Sequence, residues 1–174
     1  MRLHAQLWLP LSPAEVFPFF SEAGNLQKIT PAWLDFSIRR VQPAPIQQGC
    51  RIDYRLRLHG VPLAWQSEIT LWEPPYRFRD EQRQGPYRHW SHTHTFVAER
   101  GGTLCFDDVD YRVWGGSLVD RLVVRRDLRR IFEYRQAALL AHFTGTGGAQ
   151  ATAAGHEPWR VTFPAQSART GGRA

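Results

Sequence analysis

The chain is poor in cysteine. Among its 174 residues only Cys50 and Cys105 occur. Two cysteines cannot staple a small secreted scaffold, so a reducing, cytoplasmic setting is expected. They form no CxxC, and Cys105 reads as a small buried filler rather than a nucleophile. Long hydrophobic runs are missing as well. No stretch approaches the ~18 apolar residues of a membrane span, which argues against membrane insertion. The opening segment, Met1 to Phe20, has a short apolar run broken by Pro10 and Pro13 and lacks a signal-peptide core. Internal repeats are absent too. Lysine is nearly so: the 22 basic residues are 21 Arg and Lys28. That bias reflects genome composition or a hot habitat more than function.

What is present in excess is aromatic: seven Trp and ten Phe. So many large rings in one small domain imply a large apolar interior or a lined pocket. A chain of this length buries roughly 68–70% of its unfolded surface, so a core needs no staples. The net charge of +6 raises the question of a nucleic-acid partner. Residues 1–143 hold 19 basic and 15 acidic residues, and both signs are interleaved. Arg51, Arg55 and Arg57 alternate outward around Asp53. Helical Arg alternate with Asp120, Asp127 and Glu133, which reads as surface ion pairs. No nucleic-acid partner is expected. A protein partner or homodimer stays open.

Strand periodicity dominates the first two thirds. Leu3, Ala5, Leu7 and Leu9 alternate over Arg2–Leu9. Ser12-Pro13-Ala14-Glu15 is a capping box with Pro at the first helical position. A short helix with Val16, Phe17, Phe19 and Phe20 follows, ended by Gly24, and a second short turn covers Asn25–Ile29. Strands are expected over Phe36–Val41, Arg51–His59, Pro62–Trp72, Tyr76–Gln84, Arg88–Arg100 and Thr103–Trp114, with a hairpin signal at Gly101-Gly102. The period then becomes helical. Ser117 is the expected cap of a helix running to Phe143, with Leu118, Leu122, Leu128, Phe132, Leu139 and Phe143 on one stripe beside Ile131 and Ala138. Residues 144–174 read as a flexible Gly/Ala-rich tail. Within it Trp159, Val161 and Phe163 alternate, a docking segment over 158–164.

The expected fold is α+β. A curved antiparallel sheet of about seven strands wraps a long C-terminal helix, with two short helices after the first strand. The domain spans 1–143. The pattern Asn25-Leu26, Ile29-Thr30-Pro31, Phe78-Arg79-Asp80-Glu81-Gln82, Gly85-Pro86-Tyr87, Trp90, His92-Thr93-His94 and Phe96 continues through Asp107-Asp108-Val109-Asp110-Tyr111 and Ile131-Phe132-Glu133-Tyr134-Arg135. In order and spacing it resembles the START-like helix-grip superfamily, which includes polyketide cyclase/dehydrase-like proteins. More narrowly it resembles the superfamily's bacterial ligand-binding branch. That resemblance implies a cavity between sheet and helix, and it covers both carriers and cyclases. Val113-Trp114-Gly115-Gly116 departs from the Pro-Phe-Gly-like turn it implies.

Strand parity turns Asp80, Gln82, His92, His94, Asp107 and Tyr111 inward, with Tyr54 from an earlier strand; a bulge would reverse such an assignment. The expected cavity lining is Tyr54, Trp65, Phe78, Trp90, Phe96, Val109 and Tyr111, with Leu128, Ile131 and Phe132 from the helix. Buried ionisable groups must be paired or neutral. The polar cluster therefore has three readings. It fixes the sheet, it orients a small hydrophobic or amphipathic ligand, or it catalyses through His92, His94, Asp107 and Tyr111. His92-x-His94, with Gly85 before and Glu99 after, loosely resembles one cupin metal motif. No second motif follows, so neither a metal nor another cofactor is expected.

Overall fold

The computed structural model describes residues 1–145 and 159–164. The chain opens with β1 (Arg2–Leu9). Leu3, Ala5, Leu7 and Leu9 are buried, as period-two alternation dictates. Helix α1 (Pro13–Ser21) starts on Ser12. The Glu15 carboxylate accepts from the Ser12 amide at 2.9 Å and from its hydroxyl at 2.6 Å, closing the first turn. Helix α2 (Ala23–Lys28) contains Gly24 rather than starting after it, because α1 already ends at Ser21.

Six strands follow as a meander: β2 (Ser37–Gln42), β3 (Arg51–Leu58), β4 (Val61–Glu73), β5 (Arg77–Gln84), β6 (His89–Glu99) and β7 (Gly102–Arg112). Two of the connections are two-residue hairpins whose central residues both have positive φ: His59-Gly60 at 51° and 80°, and Arg100-Gly101 at 49° and 75°. That is the geometry whose twist matches flanking strands. β1 pairs with β7 and closes the order β2-β3-β4-β5-β6-β7-β1. An eighth strand, β8 (Trp159–Thr162), pairs antiparallel with the outer edge of β1. Among the described residues the sheet therefore has eight strands, one more than the periodicity of the main body suggests. The remainder of the expected tail, 146–158 and 165–174, lies outside the described residues.

The long C-terminal helix comes in three parts: α3 (Gly116–Val119), a π-helical turn (Asp120–Val124) and α4 (Arg125–Thr144). Ser117 is not its cap; Gly115, at φ 81°, is. The expected apolar stripe holds only from Leu128 onward. Leu128, Phe132 and Leu139 are buried, whereas Leu118 and Leu122 are 67% and 68% exposed. The π turn inserts an extra residue and rotates the phase of the helix. The residue it turns inward is Asp120, which is buried and accepts from the Tyr111 hydroxyl at 2.7 Å and from Arg125 at 3.0 Å. Asp120 is thus a buried acceptor, not part of a surface ion pair. Asp127 ties α4 to the β3–β4 hairpin through His59, at 2.8 Å. Among the described residues no helix is long and apolar enough to cross a membrane.

Candidate functional site

Between the sheet and α4 lies a cavity of about 210 Å³. Its walls follow from strand parity. Ile52, Tyr54, Leu56 and Leu58 of β3 and Leu63, Trp65, Ser67 and Ile69 of β4 all face it. The Tyr54 and Trp65 rings stack at 5.8 Å, and Trp90 meets Trp65 edge-on at 5.3 Å. Leu128, Ile131 and Phe132 come from α4; Phe19, Phe20 and Leu26 come from the two short helices, and Ile29 from the C-cap of α2.

One patch of this wall is polar. Asp80 of β5 sits directly opposite His92 of β6, and His94 opposite Asp107 of β7. The backbone register itself builds the cluster. His92 Nε2 is hydrogen-bonded to Asp107 Oδ1 at 3.1 Å. His94 Nδ1 is 2.7 Å from the same oxygen but off the hydrogen-bond direction. Asp80 Oδ1 lies 3.4 Å from His92 Nδ1 and 3.6 Å from His94 Nε2. The Phe78 ring stacks on His94 at 4.1 Å. Ser67 collects Tyr54 at 2.9 Å and the Trp65 indole N–H at 3.0 Å, and donates to Asp80 at 3.3 Å.

Burial and charge act against each other here. Burial would raise the pKa of Asp107, but Arg135, His94 and His92 together outweigh it and hold the carboxyl well below its usual range. Asp80 is also lowered, burial being outweighed by His94, His92 and Arg135. Burial and then the neighbouring His94 lower His92, against the pull of both carboxylates. Burial and the Asp80 charge push the Tyr54 phenol well up, so it stays a donor. Burial and Asp107 do the same to the Cys105 thiol, which leaves no thiolate nucleophile.

Ten of the sequence-derived site residues line the cavity: Tyr54, Trp65, Phe78, Asp80, Trp90, His92, His94, Leu128, Ile131 and Phe132. Five lie elsewhere. Gln82 clamps the β5–β6 turn, its side chain donating to the Tyr87 carbonyl at 2.7 Å and accepting from the Tyr87 amide at 3.2 Å. Phe96 packs against Phe17 and Phe20. Val109 and Tyr111 are buried in the core, and Asp120 engages the Tyr111 hydroxyl. Asp107 stands behind the histidines. Parity reports a face, not a depth, so it cannot separate cavity from core. Sequence reasoning missed Ser67, Arg135 and Gln136. The helical spacing carried a signal: Arg135 and Gln136 follow Ile131 and Phe132 by one turn each. Gln136 donates to Asp107 Oδ2 at 3.0 Å. Among the described residues the Arg135 Nε and Gln136 Oε1 atoms are buried without hydrogen-bond partners.

This arrangement, an apolar cavity under a long helix with one polar wall, meets its counterpart in sequence. A family model described as polyketide cyclase / dehydrase and lipid transport matches residues 9–140. The chain belongs to this family. No curated protein matches the sequence. Solved structures share the fold of this polyketide cyclase / dehydrase and lipid transport chain. Protein Ms6760 from Mycobacterium smegmatis superposes with a TM-score of 0.62 at 15% identity, covering 83% of this chain and 91% of its own. Major latex-like protein 151 from Panax ginseng gives 0.62 at 12%, covering 83% and 97%. A Thalictrum norcoclaurine synthase mutant, in complex with a transition-state analogue, gives 0.60 at 14%, covering 82% and 95%. At these identities the likeness is one of fold.

Proposed function

We propose that the protein binds a small hydrophobic or amphipathic molecule in the cavity between the sheet and α4. The observation that carries this reading is the cavity wall itself: aromatic and aliphatic on most sides, with Asp80, His92, His94 and Arg135 gathered on one. Apolar walls supply affinity and convergent polar groups supply orientation. Membership of a polyketide cyclase / dehydrase and lipid transport family supports hydrophobic ligand binding in general. The Arg135 Nε, buried and unpartnered among the described residues, favours a ligand that carries an acceptor oxygen.

Size narrows the class. The cavity of about 210 Å³ is smaller than the roughly 300–1,000 Å³ of pockets for drug-sized ligands. It suits a compact ring compound better than a long-chain lipid. Native mass spectrometry of freshly purified protein, with solvent extraction of what co-purifies, tests the proposal. A small adduct is expected. Trp65 and Trp90 face the cavity, so their emission should shift as such compounds are added. Protein that carries nothing, and whose emission and melting ignore a panel of mono- and bicyclic aromatics and terpenoids, would sink the idea.

A second reading is a cyclase- or dehydratase-type enzyme. The observation that favours it is that His92 and His94 face the cavity beside ionised Asp80. Asp107 serves it from behind. Tyr111 contributes nothing to it while Asp120 holds its hydroxyl. Ligands recovered chemically unchanged after incubation with the protein would count against it.

A further inference from the structure

Asp80, His92 and His94 stand in an arrangement that metal coordination explains better than ion pairing. One ligating atom from each lies within 4.8 Å of the others. Asp80 Oδ1 is 3.4 Å from His92 Nδ1 and 3.6 Å from His94 Nε2. Both distances exceed those of a good N–H···O bond, about 2.7–3.2 Å. They approach the separation of two ligand atoms held about 2.05 Å from one tetrahedral ion, which is about 3.3 Å.

The other side of each imidazole completes the pattern. His92 Nε2 and His94 Nδ1 lie 3.1 Å and 2.7 Å from Asp107 Oδ1. Each ring turns one nitrogen to Asp80 and the other to Asp107. A metal-ligating histidine needs one unprotonated nitrogen toward the ion and a ring fixed from its other side; His92 is fixed by its hydrogen bond to Asp107, and the His94 ring by Phe78 stacked on it at 4.1 Å. Asp107 is in turn held by Gln136. The frame is rigid, since all four residues sit on paired strands rather than loops.

We infer that Asp80, His92 and His94 bind one divalent transition-metal ion, with Asp107 orienting His92 from behind. Two imidazoles and a carboxylate suit zinc, iron or manganese rather than calcium or magnesium. With neutral imidazoles, two carboxylates and the Arg135 guanidinium leave one buried negative charge, which a cation offsets. Three protein ligands leave a coordination position open, and all three residues line the cavity, so that position faces its occupant. The inference rests on the ligand-binding reading only for this last point, that the ion receives an oxygen of the bound molecule.

The test uses the whole chain made without a polyhistidine tag. Zn²⁺ or Co²⁺ is added and dialysed, and bound metal is measured by plasma mass spectrometry. About one equivalent per chain is expected, with visible Co²⁺ bands of imidazole ligation and a higher melting point with Zn²⁺. Asp80→Asn and His94→Gln should lose the ion while still melting cooperatively, and the exposed-site control His89→Gln should keep it. Retention below about a tenth of an equivalent overturns the proposal, as does an equivalent that Asp80→Asn keeps. Should both variants unfold, the wild-type Co²⁺ spectrum decides: imidazole bands support the site and the spectrum of hydrated Co²⁺ overturns it. Tryptophan emission on adding ring compounds is read separately, so a failed metal site leaves ligand binding standing, and the reverse.

Discussion

Asp107 is one carboxylate on which two histidines, a glutamine and an arginine act. Removing its charge leaves its partners buried without their counter-group. Leaving buried donors without their acceptor costs about 1–3 kcal/mol. Asp107→Asn keeps the shape, so a chemical denaturation midpoint should report that loss, and thermal unfolding should fall by roughly 2–12 °C. An unchanged midpoint would mean that the cluster does not hold the sheet together. Gly102 makes a different kind of residue-scale claim. A Cβ there would sit 2.3 Å from the Leu9 carbonyl oxygen and 2.6 Å from the Trp8 ring. Backbone and a buried indole cannot yield, so Gly102→Ala should cost about 1–3 kcal/mol by the same measurement, whereas Gly101→Ala is limited to its backbone strain. The sequence reads these two residues unequally. Alternation along β6 and β7 placed His92, His94 and Asp107 inward. Nothing local marks Gly102 as the point where β1 and Trp8 press on the chain, because that contact spans more than ninety residues.

Strands were legible because a half-buried sheet imposes a period of two; β3 keeps it from Ile52 to Leu58 and β4 from Leu63 to Ile69, beyond which a register shift turns Trp72 rather than Leu71 to the core. The long helix was legible only where it is regular. Its π turn changes phase at Asp120, and no residue pattern announces an extra residue in a turn. Leu118 and Leu122 therefore looked like core and are surface, while Asp120 looked like surface and is core. Cross-strand electrostatics belong to this scale too. Glu68 on β4 meets Arg51 of β3 at 2.9 Å and Arg83 of β5 at 3.2 Å, so one carboxylate bridges three strands. The hydrogen bond from Arg83 lowers its pKa most; burial opposes it, and the Arg51 hydrogen bond with the charges of both arginines keeps the net shift downward. A folded pKa below the unfolded one means stability that is present above the unfolded value and lost as acid carries the pH through the folded one. Glu68→Gln should thus cost about 0.5–1 kcal/mol at neutral pH, and the gap between the two proteins should close in acid. Parallel melting curves across that range check the sign; a gap that widens in acid contradicts it.

At the scale of the molecule, one edge of the sheet depends on a segment far away in sequence. β8 covers β1 through four paired positions, His4 to Leu7 against Thr162 to Trp159. Val161 is buried, and Phe163 lies 5.1 and 5.2 Å below the Arg125 and Arg129 guanidiniums of α4. The strand thus ties the sheet edge to the helix that roofs the cavity. Burying a valine contributes about 1.5–3 kcal/mol. A chain ending at Gly145 should lose stability of that order. It should also bare the unpaired groups of β1, and an exposed edge recruits another strand. Light scattering after size exclusion should show concentration-dependent association of the shortened chain but not of the whole one. Gln6→Lys in the shortened chain separates the two effects, because Gln6 pairs with Arg160 and lies on the bared stretch. A charge there blocks edge pairing without restoring the lost burial. The shortened Gln6→Lys chain should run as a monomer and still melt early. If it associates as before, β8 protects some surface other than the β1 edge.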